Sequence, residues 1–231
     1  METKNLTIMF TDLKGYTSKT SNSTRQVCMD LLDRYEYIVT PIFKRYDGEI
    51  IKEIGDAFMV AFESPTNAVL CGIEIQEEIF RYNSIVNKEN RLRLKVAINS
   101  GEVQIRKNDI YGEAVNIASR LESAVEVDDV FLTDSVYLSM NKSETPPAFY
   151  VGPYKFKGIP ERVNVYKILG ENTQVTMVKR KRKKRGIKKA IKIVLASAII
   201  ITLGVLILGN ATAIENSIET LTIYLNNIFI I

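Results

Sequence analysis

Apolar residues along the first 169 positions alternate between short runs and helical spacings. Leu6 to Phe10 is a short apolar strand that ends in Thr11-Asp12, and Gly15 marks the loop after it. Leu31, Leu32, Tyr35, Ile38, Val39, Ile42 and Phe43 recur at helical spacing between Val27 and Tyr46, and Asp47-Gly48 closes that helix. Glu49 to Glu53 and Ala57 to Phe62 read as two strands of a hairpin turned at Ile54-Gly55-Asp56. Ser64 followed by Pro65 has the form of a helix cap with a first-turn proline, and predicts a second helix to about Tyr82. Leu92 to Ser100 and Glu102 to Ile105 read as a strand pair broken at Gly101. A third helix is predicted from Glu113 to Val125, then a strand at Val130 to Leu132. The last strands, Tyr150 to Lys157 and Val163 to Leu169, flank the turn Gly158-Ile159-Pro160.

The order β-α-β-β-α-β predicts an α+β domain with a ferredoxin-like core and added strands and helices, spanning residues 1–169. Fold alone does not give function.

Beyond residue 169 the pattern changes. Ten basic residues and no acid lie between Lys179 and Lys192, leaving 21 basic against 27 acidic residues elsewhere: an acidic body with a basic neck. From Ile193 to Gly209 no residue is charged, and only Asn210 interrupts an apolar extension to Ile214. Twenty-two residues at 1.5 Å each would span a bilayer core of ~30 Å, so 193–214 is predicted to be a transmembrane helix. The preceding segment, 170–192, is a polybasic linker that would touch anionic lipid and hold the first domain in the cytoplasm, anchored by a single pass in the cell membrane. A buried soluble helix and a nucleic-acid patch are the alternatives; no aromatic residues interleave the basic run, so no nucleic-acid partner is expected. The tail, 215–231, shows no readable role.

Cys28 and Cys71 both fall in predicted helices and there is no histidine, which speaks against a disulfide framework, an ordinary zinc site and a Ser-His-Asp triad. Catalysis would rest on carboxylates, Lys, Arg, backbone or metal. No amino-terminal signal peptide is visible. Asp12 and Asp56 stand at strand ends that the topology makes neighbours, where two carboxylates would suit Mg²⁺ or Mn²⁺. Each aspartate could instead simply terminate a strand or cap a turn.

Three segments carry a resemblance. Phe10-Thr11-Asp12-Leu13-Lys14-Gly15-Tyr16-Thr17, Lys52-Glu53-Ile54-Gly55-Asp56-Ala57-Phe58 and Asp109-Ile110-Tyr111-Gly112-Glu113-Ala114-Val115-Asn116-Ile117-Ala118-Ser119-Arg120 resemble, in order and spacing, the signature blocks of class III adenylyl and guanylyl cyclases. Phe156-Lys157-Gly158-Ile159-Pro160 resembles their closing strand. The resemblance implies that Asp12 and Asp56 ligate two divalent cations, with the Leu13 carbonyl completing one shell and the loop at Gly15 lying against the triphosphate. It implies that Lys52 and Asp109 read the purine. A Lys ammonium beside an Asp carboxylate suits adenine's ring acceptor and amine donor, and guanylyl cyclases typically carry Glu and a small residue there, so the pair argues for ATP. Asn116 and Arg120, four apart on one helix face, would orient the ribose and meet charge developing at the α-phosphate. Lys157 would contact the distal phosphates.

The implied activity is an adenylate cyclase forming cyclic AMP and pyrophosphate. Its pockets would lie between two chains of a homodimer, one chain giving Asp12 and Asp56, the other Lys52, Asp109, Asn116 and Arg120. The rivals are a guanylate cyclase, a catalytically silent nucleotide-binding or scaffolding module, and a palm-type polymerase or diguanylate cyclase. The last pair lack the Asn-x-x-x-Arg helix.

Overall fold

The computed structural model describes residues 2–16, 24–107, 109–170, 195–197 and 211–229. Compact units divide the chain at Met1–Val175 and Thr176–Ile231.

In the first unit the elements run β1 (Glu2–Leu13), α1 (Arg25–Arg45), β2 (Glu49–Ile54), β3 (Ala57–Phe62), α2 (Pro65–Ile85), β4 (Leu94–Arg106), β5 (Asp109–Tyr111), α3 (Glu113–Ala124), β6 (Val130–Thr133), α4 (Asp134–Ser139), β7 (Phe149–Lys155) and β8 (Arg162–Ile168). One sheet carries them in the order β2-β3-β1-β4-β6-β8-β7, with β5 also paired to β4. The first four strands form the antiparallel ferredoxin-like core, β1 lying between β3 and β4. The βαββαβ expectation is thus met, and β6, parallel to β4, begins the added strands.

Local chemistry explains the boundaries. The Thr24 hydroxyl accepts from the Val27 NH to start α1, and the Ser64 hydroxyl accepts from the Asn67 NH to start α2 with Pro65 in its first turn. The apolar stripe of α1, including Tyr35, Val39, Ile42 and Phe43, is buried with Met9, Leu13, Phe58, Val60 and the inner face of α2. Alternation along β1 sends Ile8 and Phe10 to the opposite face, where they pack with Met59, Ala114 and Ala118. The domain therefore has α1 and α2 on one face and α3 on the other.

Two expectations are corrected. Gly101 does not break a strand pair: β4 is continuous over thirteen residues, and Gly101 pairs with Leu6. The glycine serves close packing instead, since a Cβ there would stand 3.1 Å from the Ala114 Cβ of α3. The first strand is longer than its apolar run, because the polar residues Glu2 to Asn5 pair with Glu102 to Ile105. The tail after residue 210 is a helix, α5 (Ala211–Phe229). Among the described residues no helix is long and apolar enough to cross a membrane. The basic neck and most of the predicted span 193–214 lie outside the described residues.

Candidate active site

The end of β1 is where the carboxylates gather. Asp12 pairs across the ladder with Ala57 on β3, one residue beyond the hairpin's Asp56, and on its other side with Lys95 on β4. Thr11, just before it, is buried and hydrogen-bonded to the Tyr35 hydroxyl of α1 at 2.6 Å, which fixes the strand end against the helix layer. The Asp12 carboxyl is pushed up to about 6, first by burial, then by the charges of Glu122 and Asp56, with Lys95 opposing. Burial also raises Asp56, partly offset by a backbone hydrogen bond.

Lys95 and Glu122 form part of this cluster and were not singled out from sequence. Lys95 Nζ donates to Glu122 Oε1 at 2.9 Å, both side chains being mostly buried. They are 27 residues apart, one on β4 and one near the end of α3, and no local pattern links them. The readable signal is that Lys95 interrupts the apolar run Leu94 to Ile98 at the start of β4.

Two carboxylates at adjacent strand ends, crowded by a third, suit hard divalent cations in donor type and charge. Among the described residues no group of three or more His, Cys, Asp or Glu side chains is arranged to hold a metal. A cation held by Asp12 and Asp56 would thus complete its shell from backbone, water or a ligand. The Leu13 side chain is buried in the core, so only its backbone could contribute. Lys14 donates its NH to the Arg93 carbonyl at 2.9 Å, tying down the start of the loop, and Gly15 turns in the left-handed region at φ 83°.

A second group forms at β2 and β5. Lys52 Nζ donates to Asp109 Oδ2 at 2.6 Å, and the Asp109 carboxyl is held below its usual range chiefly by that hydrogen bond. Tyr111 stands beside the pair, with Lys52 5.8 Å from its ring centroid. The structure thus brings Lys52 and Asp109 together within one chain.

Helix α3 bears the remaining candidates. Gly112, at φ 143°, precedes it, and Asn116 donates its backbone NH to the Gly112 carbonyl at 3.2 Å. The Asn116 side chain is exposed. Arg120 reaches the turn after β7: an ideal Cβ on Gly158 would stand 3.5 Å from Arg120 Nη2. Its Nη1 is buried without a hydrogen-bond partner. A buried, unpaired guanidinium nitrogen is costly and is a ready donor to an incoming anion. Lys157, on the same turn, is exposed. Asp12 with Asp56 and Lys52 with Asp109 are therefore two separate groups, and Arg120 packs against the closing turn.

Residues 1–170 match the family model for the adenylate and guanylate cyclase catalytic domain. The chain belongs to that family, and this part of it is a class III nucleotidyl cyclase domain. Among curated relatives, the serine/threonine-protein kinase pkn2 of Myxococcus xanthus is 32% identical over 164 residues, covering 71% of this chain and 20% of that protein. The putative adenylate cyclase 3 of Rhizobium meliloti is 23% identical over 159 residues, covering 69% of this chain and 27% of that protein. The chain thus matches about a fifth to a quarter of the length of these two relatives. An adenylate/guanylate cyclase/hydrolase from Silicibacter pomeroyi has the same fold at a TM-score of 0.66 and 24% identity, covering 74% of this chain and 99% of that one.

Proposed function

We propose that the domain converts ATP to 3′,5′-cyclic AMP and pyrophosphate. The observation that carries the choice of ATP is the Lys52–Asp109 pair. An ammonium donor beside a carboxylate acceptor complements adenine's ring nitrogen and exocyclic amine, whereas guanine would set its carbonyl against the carboxylate. The name of the Rhizobium meliloti relative agrees with this choice.

Asp12 and Asp56, with the Leu13 carbonyl, would hold Mg²⁺ or Mn²⁺. Bound there, the cations supply Lewis acidity to the ribose 3′-oxygen and neutralise triphosphate charge. The chain's own residues do the rest. Lys52 and Asp109 fix the base, Asn116 orients the ribose, and Gly15 and Lys157 flank the phosphates. Arg120, with its unpaired Nη1, donates to the α-phosphate oxygens as the 3′-oxygen attacks in line and pyrophosphate leaves. The charge of Lys95 favours the ionised form of Asp12 against the repulsion of Asp56 and Glu122.

Each pocket forms between two chains of a homodimer, one giving Asp12 and Asp56, its partner giving the purine and α3 residues. The uncharged run 193–209 behind ten basic residues supports membrane attachment with the domain on the cytoplasmic side. The base choice is tested by kcat/KM of the full chain for ATP and for GTP: a preference for ATP is expected, and a preference for GTP overturns it.

A further inference from the structure

The first two turns of helix α3 meet the sheet through small side chains, while Leu121 in its third turn is fully buried in one cluster with Ala97 and Phe131. Ala114 and Ala118 are buried under it, and the Ala114 methyl sits over Gly101. Methyl groups over a glycine allow close approach but offer little ridge and groove to resist sliding. A hollow of about 370 Å³ beside the first turn, bordered by Asn99, Gly101, Tyr111 and Ala114, leaves room for a shift.

One polar side chain bridges the sheet and this first turn. Asn99 of β4 is 3% exposed. Its Nδ2 donates to the Ala114 carbonyl at 2.8 Å. Its Oδ1 accepts from Thr133 Oγ1 at 2.7 Å and from Ser135 Oγ at 3.1 Å. A carbonyl can only accept, so the amide must turn its NH₂ toward α3 and its oxygen toward the two hydroxyls. Ser135 Oγ accepts in turn from the Ser100 NH at 3.2 Å. The amide therefore ties α3 to β4 and to the junction of β6 with α4.

We propose that Asn99 is a positioning residue for the cyclase reaction: its amide sets where α3, and with it Asn116 and Arg120, stands over the sheet. The inference rests on the roles given above to Asn116 and Arg120. These residues lie two and six positions beyond Ala114, about 3 and 9 Å along the axis, so a slip of the first turn is carried to both. A misplacement of about 1 Å in a reacting constellation can cost about 10²-fold in rate.

The test uses the full chain and Asn99→Asp, which keeps the acceptor for Thr133 and Ser135 and removes the donor to α3. In the parent background kcat for cyclic AMP should fall about 10- to 100-fold with KM for ATP nearly unchanged, and amide exchange across residues 113–124 should quicken. In the Arg120→Ala background the further loss should be smaller by about threefold or more, because the main group being positioned is gone. Thr133→Val, which spares the bond to Ala114, should keep parental kcat. If Asn99→Asp does not yield folded protein, Asn99→Ser, which removes both the donor and the acceptor, is read against Thr133→Val, which removes only a partner of the acceptor. An equal fold loss in both backgrounds, or parental kcat in Asn99→Asp, overturns the proposal. A parent chain that forms no cyclic nucleotide removes the reading of the site; unchanged exchange of α3 in Asn99→Asp would then overturn the positioning role on its own.

Discussion

Lys52 Nζ stands 2.6 Å from Asp109 Oδ2, so the two groups assigned to the purine satisfy each other before any base arrives. ATP must replace this bond with two of its own. Lys52→Ala should lower kcat/KM for ATP by about 10- to 100-fold, the worth of one hydrogen bond to a charged group. Stability should hardly change, because the pair is partly exposed, at 37% and 24%. Lys52→Glu combined with Asp109→Cys should move the preference toward GTP. Steady-state kinetics with both nucleotides and a thermal melt check all three outcomes.

Arg120→Ala should separate catalysis from stability. Turnover should fall by about 10²- to 10³-fold, with little change in KM for ATP, because the guanidinium acts on charge that appears in the transition state. The same change removes a buried nitrogen that has no hydrogen-bond partner, so Tm should stay level or rise. A fall in Tm that tracks the lost activity would mean that Arg120 supports the fold.

Asp12 sets a pH dependence. Its carboxyl lies at about 6 in the fold, above the ordinary value of 3.8. An acid raised in this way binds its proton more tightly when folded, so its ionisation opposes folding, increasingly from about pH 4 to 6 and fully above. Asp12→Asn removes that cost. Its Tm at pH 7.5 without divalent cations should exceed the parent's by about 2–4 °C, and the difference should vanish near pH 4. Millimolar Mg²⁺ or Mn²⁺ should raise the parent's Tm and leave that of Asp12→Asn unmoved. Metal binding needs the carboxylate, so activity should fall on the acid side at or below about pH 6.

Shared pockets predict complementation. A mixture of Asp12→Ala and Arg120→Ala chains should form heterodimers with one complete site and regain activity that neither has alone. Activity no higher than either variant would contradict pockets built from two chains.

The structure shows why parts of this were legible in the sequence. Ala57–Phe62 is buried on both faces of the sheet and the stripe of α1 on one face of its helix, so an unbroken apolar run and a helical period declared them. Gly101 misled because glycine marks both turns and close approaches, and only the position of α3 distinguishes the two. Helix α4 has six residues, too few to show a period, and its single buried residue is Val136. Asp12, Asp56, Lys52, Asp109, Asn116 and Arg120 were legible because each sits in a local block. Lys95, Glu122 and Asn99 were not, because their partners come from distant elements and only folding brings them together.

The most direct measurement is cyclic nucleotide formation by the purified full chain with ATP and Mg²⁺ or Mn²⁺, beside Asp56→Ala. Cyclic AMP and pyrophosphate in equal amounts from the parent, and none from the variant, is the result predicted. No product from folded, dimeric parent protein, or product undiminished in Asp56→Ala, would contradict the account.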